Sequence, residues 1–173
     1  MIALTDATAP VSAEELAAAE ARLAEVGQSI PPSYKAFLAE HDGGRPVRSV
    51  FTFERDNEPK RDRVRRFLGL SPVPPPGENL VETAMSLAGR VPDGVLPIAE
   101  DSLGNVVCLD GRDGGDGPVL FWDHEYEGDP ADEANLYFVA PNFQTFLDGL
   151  DEPAERPPLT PKPKGLRRLF GRD

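Results

Sequence analysis

Reactive and metal-binding side chains are scarce in this sequence. It has one cysteine, Cys108, two histidines, His41 and His124, and one tryptophan, Trp122. A lone thiol makes no intrachain disulfide, and thiolate metal sites need several sulfur ligands, so disulfide frameworks and zinc-ribbon folds drop out. Cys108 stands in Val106-Val107-Cys108-Leu109, a run that reads as strand, and its expected place is the core. Long apolar runs are also missing: no stretch approaches the roughly 20 residues of a membrane helix. The first six residues lack a basic segment followed by an apolar one, so the expected location is the cytoplasm. Basic residues are the minority, 18 against 30 acidic, for a formal charge of −12. That average field repels nucleic acid and anionic lipid, and favours a protein partner over direct nucleic-acid binding.

What is present suits a folded domain. Hydrophobic residues make up 39% and charged residues 28%, and a chain of this size removes roughly 70% of its unfolded surface from water. Nineteen prolines and 16 glycines predict many turns. Charge is unevenly spread. Residues 157–173 hold Lys162, Lys164, Arg167, Arg168 and Arg172 against Asp173 alone, and taking these from the totals leaves 13 basic and 29 acidic groups, a formal −16. An acidic body carries a basic tail.

Ser12-Ala13-Glu14-Glu15 has the form of a capping box, followed by an apolar stripe of Leu16, Leu23 and Val26 that ends at Gly27. Pro31-Pro32 opens and Gly43-Gly44 closes a second helix, with Tyr34, Phe37, Leu38 and His41 on one face. Residues 50–53 predict a strand, 54–63 a solvated loop or turn, and Val64, Phe67 and Leu68 a helical turn ending at Gly69. Four prolines in 71–77 predict a surface connection. Asn79 is placed to cap a helix through Ala88, and strands are predicted at 95–99, 105–109, 119–122 and 136–139. Asn142 then caps a closing helix with Phe143, Phe146, Leu147 and Leu150 on one face. Helices, a block of strands and a last helix make an α+β fold. The divisions expected are an N-terminal extension over 1–11, a domain over 12–150, and a proline-rich linker with the basic tail over 151–173.

Two segments invite a chemical reading. Asp123-His124-Glu125, with Glu127 and Asp129 close behind, offers metal ligands or a general base, but neighbours on a strand point to opposite faces and converge only through a sharp turn. The loop 110–117 has aspartates three apart, unlike the alternate ligands of a calcium loop, and no lysine of a phosphate loop, so a flexible turn is expected. Ser33, Ser71, Ser86 and Ser102 lack the context of an activated nucleophile. No catalytic residue, metal ligand or cofactor is assigned.

Four segments, in order, carry a resemblance: Ile30-Pro31-Pro32-Ser33-Tyr34-Lys35-Ala36-Phe37-Leu38 ending in Gly43-Gly44; Leu96-Pro97-Ile98-Ala99-Glu100-Asp101 through Gly104-Asn105-Val106-Val107-Cys108-Leu109-Asp110; Val119-Leu120-Phe121-Trp122-Asp123-His124-Glu125; and Phe138-Val139-Ala140-Pro141-Asn142-Phe143-Gln144-Thr145-Phe146-Leu147. Over residues 12–150 the chain resembles the SUKH superfamily, which includes fungal Smi/Knr-type cell-wall regulators and bacterial toxin-immunity proteins. The resemblance implies a mixed, mainly antiparallel sheet flanked by helices, no catalytic residues and no cofactor. It also implies a protein partner, for bacterial members a toxin domain and often a nuclease. A regulatory scaffold for a host protein, or a small metal-dependent hydrolase, are the competing roles. Under the immunity reading, Glu100, Asp101, Asp123, Glu125, Glu127 and Asp129 form an acidic surface against a basic active site, with Trp122 or Tyr126 as aromatic anchor. A solvated acidic rim is the plainer account of the same residues.

Overall fold

The computed structural model describes residues 2–71, 79–126 and 133–153. The predicted proline connection at 71–77 beyond Ser71, Glu127, Asp129 and the basic tail lie outside them. Near the N-terminus β1 (Leu4–Thr5) pairs with β2 (Arg45–Pro46). Between them, α1 (Ala13–Ala24) starts at the predicted box, where Ser12 Oγ accepts the Glu15 amide and Glu15 Oε2 accepts the Ser12 amide. The next helix, α2 (Pro32–Glu40), gets no side-chain cap from its own N-cap residue, Pro31. Asp116 in the glycine-rich loop supplies one from a distance, accepting the Ser33 amide at 2.9 Å. Arg112 of that loop also bridges Asp110 and Glu133. The segment expected to be a flexible turn is therefore tied at both ends.

Two expectations fail in the middle of the chain. Residues 54–63 are not a solvated loop: β3 (Val50–Arg55) turns through Asp56-Asn57 into β4 (Glu58–Arg63). Asp56 and Asn57 have φ of 57° and 59°, the left-handed pair of a type I′ turn, whose twist suits a two-residue hairpin. Apart from Pro59, strand β4 is polar because one side faces water, while Lys60 and Asp62 are only half covered. The helical turn expected at Val64 to Leu68 is instead β5 (Arg66–Phe67), whose Phe67 backbone bonds Gly44 on one side and pairs with Ala99 on the other. Three apolar residues at helical spacing are too few to distinguish a helix from a short buried strand.

β5 is one edge of a five-stranded sheet that continues through β6 (Val95–Glu100), β7 (Val106–Asp110), β8 (Val119–Trp122) and β9 (Leu136–Ala140), each pair antiparallel. Among the described residues the parallel pairing is confined to an isolated Ala88–Val91 bridge. The expected α+β class with a mainly antiparallel sheet is what the chain adopts. Alternation sends Leu96, Val107, Leu109, Val119 and Phe121 to one face, where they join α1, α2, α4 (Phe143–Asp148) and the β3–β4 hairpin in the main core. Aromatic rings dominate there: Phe37 stands 5.3 Å from both Tyr34 and Phe67, and Phe53 stands 4.6 Å from Phe121. The Tyr34 hydroxyl, fully buried, lies 2.7 Å from the carbonyl oxygens of Leu68 and Ile98 and donates its one proton between them.

Val95, Val106, Cys108 and Trp122 point to the opposite face and pack with Leu87 and Val91, which follow α3 (Leu80–Ser86). The Arg90 guanidinium sits 5.3 Å above the Trp122 ring. This second, smaller cluster buries Cys108 completely, as its strand position predicts. Among the described residues no helix is long and apolar enough to cross a membrane.

Candidate functional site

One end of the sheet gathers the β6–β7 turn, the segment leaving β8 and the tip of the β3–β4 hairpin. Its organisation starts from Asp101, which is only 4% exposed. Asp101 Oδ1 accepts the amides of Leu103, Gly104 and Asn105 at 2.7, 2.8 and 2.9 Å, while Oδ2 accepts from Asn105 Nδ2 at 2.7 Å. A carboxylate with several charge-assisted donors holds a turn far more firmly than water would. Gly104 meets the turn's demand for a positive φ, 102°.

Asn105 passes the order on to the next segment. Because its Nδ2 must face the Asp101 carboxylate, its Oδ1 faces His124, accepting the His124 amide at 3.1 Å and lying 2.7 Å from Nδ1. That pairing puts the imidazole proton on Nδ1. His124 opens a short 3₁₀ turn (His124–Tyr126), the sharp bend that the sequence argument required for Asp123, His124 and Glu125 to leave strand geometry. They still do not converge: Asp123 turns inward and Glu125 outward. Among the described residues no three His, Cys, Asp or Glu side chains come together as a metal shell.

Asp123, 5% exposed, is the second buried anchor. Its Oδ2 is 2.6 Å from Arg55 Nη1, its Oδ1 accepts the Glu125 amide at 3.1 Å, and its backbone exchanges bonds with Asn135. Arg55 is held in turn by aromatic faces, its guanidinium carbon lying 4.9 Å from the Tyr126 ring centre and 5.9 Å from that of Tyr137. Further along the hairpin, where β4 pairs Asp62 with Phe51, burial pushes the Asp62 carboxyl above its ordinary range, opposed by the Arg63 amide that it accepts and reinforced by the charges of Asp101 and Asp123. Two guanidiniums thus reach this end of the sheet, Arg55 on the Asp123 carboxylate and Arg65 on Glu100 and the Asp101 carbonyl.

The residues singled out from sequence separate into layers. Asp101 and Asp123 are interior and shape the turns; Trp122 is fully buried on the opposite sheet face. Glu100 is half-buried and bonds Arg65. Glu125 and Tyr126 reach solvent, Tyr126 with 53% exposure, while Glu127 and Asp129 lie outside the described residues. Sequence reasoning missed Arg55, the exposed Leu103 and the acidic hairpin tip of Glu54, Asp56 and Glu58. The available signal for the tip was Asp56-Asn57, two residue types that tolerate a positive φ, directly after the alternating run of β3. Nothing in the sequence distinguished Arg55 from its charged neighbours.

Comparisons with known proteins agree with this architecture. The SPbeta prophage-derived uncharacterized protein YokK of Bacillus subtilis (strain 168) is 28% identical over 144 residues, which cover 75% of this chain and 71% of that protein. Residues 10–149, running from just before α1 through α4, match the family model described as SMI1 / KNR4 (SUKH-1). With the helices, the antiparallel sheet and the segment order all in place across that span, the chain belongs to the SMI1 / KNR4 family (SUKH-1).

Proposed function

We propose that the chain is a non-catalytic binding domain of the immunity type, which acts in the cytoplasm by covering the active surface of a toxin domain. Family membership supports the class of role. The observation that carries the surface is the seating of Tyr126: a half-exposed aromatic ring whose inner side rests on Arg55, itself fixed by buried Asp123. Such a ring is ordered before binding and loses little freedom when a partner covers it. Around it the exposed Asp56, Glu125 and Leu103, with Glu58 paired to Lys60, make an acidic rim with an apolar spot. That combination suits a basic partner surface, such as the substrate cleft of a nuclease, where opposite charge speeds encounter and fixes register. Asp101 and Asp123 contribute by holding the two turns in shape. A prophage-borne relative fits a role in conflict between mobile elements and their hosts.

The test is co-expression with a toxin domain encoded beside this gene. Restored growth together with a stable complex is the expected result. A toxin that stays lethal and leaves no complex ends the immunity reading, and recovery of a host protein in its place makes the chain a regulatory scaffold.

A further inference from the structure

A second surface lies away from that end of the sheet. A groove of about 550 Å³ opens between α2, α4 and the residues just before β1 and just after β2. Ala36, Phe37, Phe143 and Leu147 line it with carbon, and Val47, 51% exposed, stands at its wall. Among the described residues its polar rim is mainly acidic, with Glu40, Asp148 and Glu152 against Arg48, and with His41 beside Glu40.

We propose that the basic C-terminal segment, residues 165–172, docks into this groove of its own chain. Three observations select that occupant. The segment reads Gly-Leu-Arg-Arg-Leu-Phe-Gly-Arg, so Leu166, Leu169 and Phe170 match the carbon-lined floor while Arg167, Arg168 and Arg172 match the acidic rim. The groove also contains the point of departure: Glu152 lines it, and the chain runs from there directly into the proline-rich linker. Finally, the linker has the reach. About a dozen residues separate Pro153 from Leu166, roughly 40 Å if extended at about 3.1 Å per residue, enough to leave the groove and return without a tight reversal. A tether of this length also gives the segment an effective concentration on the order of millimolar, which favours its own groove over that of another copy. The acidic rim disfavours an anionic lipid surface as the alternative occupant.

The experiment uses the full chain. In a Gly171→Cys variant the new thiol is the one open to a nitroxide reagent, because Cys108 is fully buried. Amide signals of Ala3, Val47, Gln144 and Leu147 should be broadened by the label at low salt. In the same labelled chain carrying Leu169→Asp and Phe170→Asp, that broadening should fall at least about twofold, and salt of about 1 M should reduce it as well, since the Debye length is then only about 3 Å. Groove amides broadened no more than the rest of the body overturn the proposal. So does broadening of the same size on unlabelled, isotope-enriched chains mixed with labelled chains that carry no isotope, which assigns the groove to a second copy's tail.

Discussion

Arg55 Nη1 and Asp123 Oδ2 meet at 2.6 Å, fastening the tip of the β3–β4 hairpin to the segment that leaves β8. The side chains are 24% and 7% exposed, so the pair sits mostly out of water. A buried pair gains little over a well-packed apolar one, yet breaking it leaves a charge stranded. Arg55→Met should therefore destabilise the protein by about 3 kcal/mol in urea unfolding, and adding Asp123→Leu should return about half of that loss. Equal destabilisation by the single and double variants would mean that the pair is not coupled.

Tyr126 rests on that same guanidinium but contributes little to the core. Tyr126→Ala should lower stability by less than about 1 kcal/mol, the scale of one exposed cation–π contact. If the ring anchors a partner, the same change should weaken the complex by about 2 kcal/mol, or roughly 30-fold in Kd by calorimetry. An unchanged Kd moves the interface off this end of the sheet.

Asp62 gives a pH signature. Burial raises its folded-state pKa above the ordinary 3.8, with Asp101 and Asp123 adding to the effect of burial. Between the unfolded and folded values the folded chain binds the extra proton, so this group's contribution to stability falls as pH rises through that window. Asp62→Asn, which keeps an oxygen for the Arg63 amide, should raise the urea midpoint at about pH 7 and leave it unchanged at about pH 3, where the carboxyl is already neutral. A variant equally stabilising at both pH values would point to packing instead of ionisation.

Cys108 should be inert while the protein is folded. It is completely buried on the second face of the sheet, and burial pushes its thiol well above the ordinary value, away from the reactive thiolate. A disulfide reagent should modify it at the rate of unfolding, and within seconds in denaturant. Fast labelling of the native chain would show that the strip under Leu87 and Val91 opens locally.

The elements that sequence made legible are those whose signals are local. Ser12 and Asn142 cap their helices through residues three positions away, and the strands from Val95 onward declare themselves by apolar runs between turns. Strand β4 was hidden because Glu58, Lys60 and Asp62 take strand geometry from their pairing with β3, not from their own preferences. The cap of α2 was hidden because Asp116 arrives from a distant loop. At the candidate site, counting charge located the right loops but not the right depth: Asp101 and Asp123 look like Glu125 in sequence, and only the fold puts them beneath the surface. Arg55 acquires its role from three groups contributed by other strands and turns, which no spacing reveals.

The two buried carboxylates have a consequence for how such a domain can change over generations. Asp101 and Asp123 fix the backbone of both turns from below, while Leu103, Glu125 and Tyr126 project from above and bear little of that task. Substitutions in the outer set can alter shape and charge at the rim without loosening the loops that display them. The outward-facing residues can therefore be exchanged while the two aspartates stay in place.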